Sequence, residues 1–191
     1  MSVPAVWCAA FALLVSAASA APAQQPSKPE RFTAIAVLPM EAGSPTPIEI
    51  VVERWSTDAE NESVLTGLKE LGTKGMLNAL LKLKPVGSIA ASGSAGYPLR
   101  YAWKNTGQDG MERITLATDR PVSFWEASNQ FQSLDYPLTM IELRMKPGIA
   151  GTGSGQIALA AQMHFDRVTN SIVLEDLGLS LVPLSSVKRL R

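Results

Sequence analysis

Short runs in which apolar and polar side chains alternate make up most of the chain after residue 86. In the clearest run, 138–146, the apolar residues Ile141, Leu143 and Met145 alternate with charged ones. A period of two residues indicates a strand with one buried face. The last two runs are expected to pair with each other, and Pro183 to end the second. All of the β-prone runs together cover 32–38, 48–52, 97–104, 112–118, 138–146, 157–165 and 172–182.

Strands joined by short turns are typical of antiparallel architectures that are built mainly from β-structure. The sequence therefore predicts a mainly β fold of the α+β class, either an antiparallel β-sandwich or a partly open barrel. The connection 105–110 has the composition of a hairpin loop between two of these strands.

After the run at 48–52 the period becomes helical. Thr57 and Glu60 have the spacing of a capping box, and apolar residues follow at intervals of three and four until Gly72. Thr73 is expected to cap a second helix. The sequence thus predicts a helical hairpin, inserted at about 57–84, whose apolar stripe packs on the sheet.

The N-terminal residues have the features of an export signal. Residues 1–20 carry no charged side chain and end in Ala18, Ser19 and Ala20, a small-residue cleavage pattern. Their apolar run of about 11 residues is shorter than the roughly 20 that a transmembrane helix needs. We predict a signal peptide at 1–20, a flexible Pro-rich leader at 21–30 and one domain at 31–191, with no transmembrane anchor after cleavage.

Charge and cysteine content narrow the function classes. Cys8, the single cysteine, lies in the signal, so disulfides, thiolate nucleophiles and Cys-ligated zinc are not expected in the mature chain. Lys and Arg number 17 and Asp and Glu number 17, a balance that gives no electrostatic reason to bind nucleic acid. We expect no cofactor, no metal site and no nucleic-acid partner. The basic end, Lys188, Arg189 and Arg191, is expected to be solvated.

Three patterns that resemble catalytic motifs have simpler interpretations. His164, the single histidine, alternates with apolar residues and is expected to face solvent beside Asp166. Residues 153–158 fit a degenerate dinucleotide-binding pattern, but period two follows the glycines where a helix is required. Carboxylates are numerous enough for glycoside hydrolysis, yet no spacing selects two of them. We therefore predict no catalytic residue and favour a non-enzymatic role.

Aromatic residues concentrate between 97 and 136, which holds seven of the ten in the mature chain. Tyr97, Leu99, Tyr101 and Trp103 are expected to share one strand face. Such a concentration indicates either half of a hydrophobic core or an aromatic cleft for a sugar, lipid or peptide. The candidate ligand-binding residues are Tyr97, Tyr101, Trp103, Arg120, Trp125, Glu126, Asp135 and Tyr136.

The run LATDRPVSFWEASNQFQSLDYPLTMIELRM, at 116–145, and the stretch KPVG, at 84–87, resemble a family of uncharacterised exported bacterial proteins. The resemblance implies a periplasmic or secreted location and no particular activity. We expect a binding or interaction module of the bacterial envelope, whose partner is a protein, a glycan or an apolar small molecule. The alternatives are a periplasmic carrier that encloses an apolar ligand and a hydrolase that uses His164 or a carboxylate pair.

Overall fold

The computed structural model describes residues 28–37, 45–120, 122, 138–148, 151–159, 163–166, 171–174 and 181–190. The predicted signal peptide and most of the predicted leader lie outside these residues. The described elements, in chain order, are β1 (Glu30–Ala36), β2 (Thr46–Val52), α1 (Asp58–Leu80), β3 (Gly87–Ala91), β4 (Tyr97–Thr106), β5 (Glu112–Thr118), β6 (Thr139–Met145), β7 (Thr152–Leu159), β8 (Met163–Asp166), β9 (Ser171–Leu174) and β10 (Leu181–Leu190).

Eight of the strands form a closed barrel in the order β1-β10-β7-β6-β5-β4-β3-β2. Every neighbouring pair is antiparallel, and the barrel closes where the first strand pairs with the last, with Phe32 opposite Arg189. Closure removes the free edges that an open sheet would present. The predicted mainly β fold is thus confirmed, and it is a barrel that closes completely.

Side chains fill the interior of the barrel. Alternate residues of the eight barrel strands point inward, apart from the bulges, and an eight-stranded barrel is just wide enough for its own side chains to fill. Val122, which follows β5, is buried with this inner core. The inner core consists of Phe32, Ala34, Ala36, Ile48, Ile50, Val52, Val86, Ile89, Leu99, Ala102, Ile114, Leu116, Val122, Ile141, Leu143, Met145, Ile157, Val182, Leu184 and Val187.

The helical region begins as the sequence predicts, because Thr57 and Glu60 form both hydrogen bonds of the capping box. Gly72 then leaves helical geometry at φ 61° and ψ −149°, a conformation that glycine adopts readily. Around this kink the backbones of Gly67 and Gly75 meet so closely that a Cβ on Gly75 would lie 2.0 Å from the Gly67 carbonyl oxygen. Residues eight apart cannot meet in a straight helix, so the two halves of α1 fold back on each other.

Thr73 is predicted to cap a second helix, but its hydroxyl bonds to β8 instead. The Thr73 hydroxyl is buried and accepts a hydrogen bond from the backbone N–H of Met163, at 3.1 Å. It therefore ties the second half of α1 to β8. The physical reason is that Thr73 directly follows the kink at Gly72, where α1 packs against β8.

The apolar side of α1 covers part of the outside of the barrel and forms a second, outer core. Helix residues such as Val64, Leu68 and Met76 pack there against Tyr101 and Met140 from the strands. The Tyr101 hydroxyl donates a hydrogen bond of 2.6 Å to Oδ1 of Asn61, on the first half of α1. Burial of such an amphipathic face stabilises a helix more than its intrinsic propensity does.

A β-bulge overturns the expectation that Tyr97, Leu99, Tyr101 and Trp103 share one face. The pairing of β4 with β5 shifts between Leu99 and Tyr101, which leaves Arg100 as an extra residue. Before the bulge, Tyr97 and Leu99 pack with the inner core; after it, Tyr101 and Trp103 pack with the outer core beneath α1. An inserted residue reverses the side on which every later side chain points.

The runs predicted at 157–165 and 172–182 do pair, but in two separate sheets and not as one continuous hairpin. Val182 lies opposite Ile157 in the barrel, whereas Met163 lies opposite Leu174 in a separate two-stranded sheet of β8 and β9. Pro183 does not end the strand, because β10 continues to Leu190. Proline has no N–H to donate to a neighbouring strand. Its carbonyl can still accept, and that of Pro183 accepts a hydrogen bond from the N–H of Val37.

Candidate functional site

The structure separates the four predicted site residues that it describes. Tyr97 packs against the inner core, Tyr101 and Trp103 belong to the outer core, and Arg120 lies exposed beyond the end of β5. Tyr101 is 1% exposed and holds α1 on the barrel. The other four candidates, Trp125, Glu126, Asp135 and Tyr136, lie outside the described residues.

Arg120 belongs to a cluster of charges that we call the rim site, which consists of Arg100, Asp119 and Arg120. Arg100 Nε and Nη2 each lie 3.0 Å from Oδ2 of Asp119, and Arg120 Nε donates to Oδ1 of Asp119 at 3.2 Å. Arg100 Nη1 also donates to the carbonyl of Leu83, at 2.9 Å, just beyond α1. Charge-assisted hydrogen bonds of this kind fix the guanidinium groups in position.

The rim site arises from local features of the sequence. The bulge places Arg100 beside the end of β5, because Leu99 lies opposite Thr118. Asp119 is the next residue after Thr118, so the carboxylate and the Arg100 guanidinium meet across the strand pair. The predicted hairpin between β4 and β5 brings these two residues near each other, but the pairing itself depends on the bulge, which no sequence signal marks.

Asp119 is the most buried member of the rim site, with a side chain that is 4% exposed. Burial alone would raise the pKa of Asp119, but hydrogen bonds from Arg120 and Arg100 and their charges outweigh it, so the pKa lies below its ordinary value. Asp119 is therefore a carboxylate at neutral pH, and it partly neutralises two guanidinium groups. The rim site keeps an excess of one positive charge.

Two buried threonines attach the rim site to the barrel. The Thr118 hydroxyl donates to the carbonyl of Arg120 and accepts from the N–H of Thr139, at 3.3 Å. The Thr139 hydroxyl accepts from the N–H of Val122, at 3.0 Å. These bonds fix the backbone on both sides of Arg120, so the exposed guanidinium projects from a defined position at this end of the barrel.

The opposite end of the barrel carries a second cluster, which we call the charged end. Arg189 is expected from sequence to be solvated; instead its side chain is 10% exposed and pairs with Glu30 and Glu112. Glu30 also accepts from Trp55 Nε1, at 3.0 Å, and from Lys104 Nζ, at 2.8 Å. Arg189 is buried because its position in β10 points inward, like that of Val187 two residues before it. The charged end closes the barrel with two cations and two carboxylates.

The described carboxylates that converge in clusters are therefore held by cations. Asp119 pairs with two arginines, and Glu30 and Glu112 share Arg189. Across the described ranges, no group of three or more His, Cys, Asp or Glu side chains lies together as metal ligands would. His164 lies on β8, opposite Val173. In the same part of the chain, no helix has the length and apolarity to span a membrane.

Comparisons of the chain with protein-family models, with curated proteins and with solved structures gave no match.

Proposed function

We propose that this protein is an exported, non-enzymatic interaction module of the bacterial envelope that contacts its partner at the end of the barrel that carries the rim site. The packing of the barrel interior carries the proposal. The inner core occupies the space where a β-barrel carrier would hold an apolar ligand, and the outer core occupies the space between α1 and the strands. Recognition then takes place on the outside of the molecule.

The charge balance of the two ends supports the choice of the rim site. The carboxylates of the charged end match its cations in number, and its arginine is buried. At the rim site the side chain of Arg120 is 54% exposed and shares its one carboxylate with Arg100. The Nη groups of Arg120 have no partner among the residues that the structure describes. An exposed arginine whose base is fixed in this way is a frequent centre of protein interfaces, where it pairs with a carboxylate or carbonyl of the partner.

The rim site also adjoins the segment that the sequence analysis favours. Arg120 directly precedes the stretch that includes Trp125, Glu126, Asp135 and Tyr136, which remain predicted contact residues. Aromatic side chains next to arginine are the composition of interface hot spots. The proposal combines one described residue, Arg120, with these four.

A site-specific crosslinking experiment tests the proposed contact. A photoreactive amino acid is placed at position 123 of the full chain in bacterial cells, three residues after Arg120, so that Arg120 itself is kept. The same amino acid at position 82, an exposed residue just after α1, serves as the control. We expect a discrete crosslinked species from position 123 that is not formed from position 82. Identical products at both positions, or none at position 123, would contradict the proposal.

Two further measurements test the remaining parts of the proposal. N-terminal sequencing of the chain recovered from the periplasm or medium should give Ala21 as the first residue; a chain that retains Met1 would contradict export. Native mass spectrometry of the purified chain should show the bare mass. An extractable apolar molecule bound in equal amount would instead establish the carrier.

A further inference from the structure

The outer side of β5, β6, β7 and β10 near the charged end bears cations in two rows across the strands. In the first row Arg113 lies opposite Arg144, which lies opposite Ser154. In the second row Thr152 lies between two lysines: the N–H of Lys146 donates to the Thr152 carbonyl, at 3.0 Å, and Lys188 is the partner of Thr152 in β10. Neighbouring side chains on one face of a sheet lie about 5 Å apart, so the rows form one continuous patch.

This patch is concave. An open groove of about 350 Å³ is lined by Arg144, Lys146, Thr152 and Ser154, together with Asp109 and Met111. A second groove, of about 360 Å³, is lined by Lys188 and by polar and apolar residues of the neighbouring strands and loops, which are Thr33, Ala34, Ile35, Pro47, Ile48, Glu49, Ser92 and Ser186. We call the two together the basic groove. Its two parts lie on β6 and β7 and on β10, β1 and β2, and they adjoin where Thr152 of the first pairs with Lys188 of the second. Both parts include hydroxyl groups.

The basic groove has more cations than its own carboxylates neutralise. Asp109 lies 3.6 Å from Arg113 and 3.7 Å from Arg144, which remain 41% and 51% exposed. Lys146 and Lys188 are exposed, and neither forms an ion pair with a residue that the structure describes. Because the chain as a whole has no net charge, this local excess is a property of the patch.

Glu49, which lines the far groove, adds little negative charge to this excess. It accepts a hydrogen bond of 2.9 Å from Arg31, so its carboxylate already has a cation. Glu142, on the same outer face, accepts a hydrogen bond of 3.1 Å from the neutral amide of Gln156 and keeps its negative charge, but it lines neither part of the groove. Among the described lining residues, the cations without an ion pair are the two lysines that flank Thr152.

We propose that the basic groove binds a linear acidic polysaccharide. Two adjoining grooves on neighbouring strands fit a narrow extended chain better than the plane of a bilayer, and their hydroxyl groups can exchange hydrogen bonds with sugar hydroxyls. The lysines supply the attraction for repeated carboxylates. The described lining includes no aromatic ring on which nucleic-acid bases could stack, which is the usual basis of single-strand binding. This proposal does not depend on the rim site.

Binding of polygalacturonate, which carries one carboxylate on each sugar, tests the proposal. The dissociation constant is measured by calorimetry for the wild type and for the double variant Lys146→Ala/Lys188→Ala. The matched control is Lys82→Ala/Lys84→Ala, which removes the same charge from exposed positions beyond α1. Thermal unfolding of all three proteins verifies that each is folded.

We expect the groove variant to bind at least about 10-fold more weakly and the control less than about 2-fold, with binding that weakens as salt is added. Equal losses in both variants would show non-specific attraction and overturn the proposal. It would also be overturned if the wild type bound no polygalacturonate at low ionic strength. Vesicles of anionic phospholipid serve as a second probe: binding to vesicles but not to the polysaccharide would assign the groove to a membrane surface instead.

Discussion

The two ends of the barrel both carry arginine–carboxylate pairs, but they differ in charge balance and exposure. At the charged end two cations meet two carboxylates, and the central guanidinium, that of Arg189, is 10% exposed. At the rim site two guanidiniums share Asp119, and that of Arg120 is 54% exposed. We infer that the charged end, with its balanced charges, stabilises the fold, whereas the rim site, with its excess positive charge, is available for contact with a partner.

The largest effect is expected from Arg189→Met. The variant leaves Glu30 and Glu112 without their shared cation in a partly buried place, and breaking such a pair costs about 3–5 kcal/mol. The free energy of unfolding in urea measures it. As a control, Arg31→Met breaks the exposed pair with Glu49 and should cost less than about 1 kcal/mol. If both variants lost the same small amount, the charged end would not have the stabilising role assigned to it.

A smaller effect is expected from Asp119→Asn, which keeps the shape of the side chain but removes the charge shared by Arg100 and Arg120. Loss of charge-assisted hydrogen bonds at a buried carboxylate costs about 1.5–3 kcal/mol at neutral pH. Urea unfolding at pH 7 measures the difference.

The same variant gives a prediction for pH. The folded-state pKa of Asp119 lies below its ordinary value of 3.8, so the ionised carboxylate stabilises the fold above that value. The contribution is lost as the pH falls through the lowered pKa. The stability difference between wild type and Asp119→Asn should therefore shrink as the pH is lowered below about 4. A difference that stayed constant with pH would contradict the role of the charge.

Trp55→Phe should cost about 1 kcal/mol, because it removes the indole N–H that donates to Glu30 while it keeps an aromatic ring beside Lys104. Trp103→Phe is the matched control: it removes an indole of the same size from the outer core. Unfolding in urea compares the two. If the Trp103 variant lost more stability than the Trp55 variant, packing would outweigh the hydrogen bonds of the charged end.

The smallest effect on stability is expected from Arg120→Ala, at less than about 0.5 kcal/mol, because the side chain is largely exposed. The same change should abolish the partner contact that crosslinking at position 123 detects, which can be measured by combining Arg120→Ala with the photoreactive residue at position 123. A variant that lost stability but retained the contact would reverse the roles assigned to the two ends.

The sequence predicted those parts of the fold whose signal lies within one element. The alternation at Ile141, Leu143 and Met145 set the inward face of β6, and the spacing of Thr57 and Glu60 located the start of α1. Both depend on neighbouring residues. Closure of the barrel depends instead on pairing between strands at opposite ends of the chain, which periodicity does not encode.

The candidate site was less predictable for the same reason. A single inserted residue, Arg100, reverses the facing of Tyr101 and Trp103, and nothing in the spacing of β4 marks the bulge. Arg189, in a basic C-terminal stretch typical of solvated ends, is buried because its strand completes the barrel. The place of Arg120 beside the aromatic segment is a sequence signal, whereas its carboxylate partner Asp119 is fixed by the pairing of β4 with β5.

The pairing of β1 with β10 has a consequence for how the molecule is made. Because β1 is synthesised before the other barrel strands, Phe32 has no partner strand in β10 until about 150 more residues have been made. Contacts between distant parts of the chain form slowly, and an unpaired strand is prone to associate with other chains meanwhile. Loss of β10 would reopen the barrel between β1 and β7, so the barrel can close only after residues 181–190 have been synthesised.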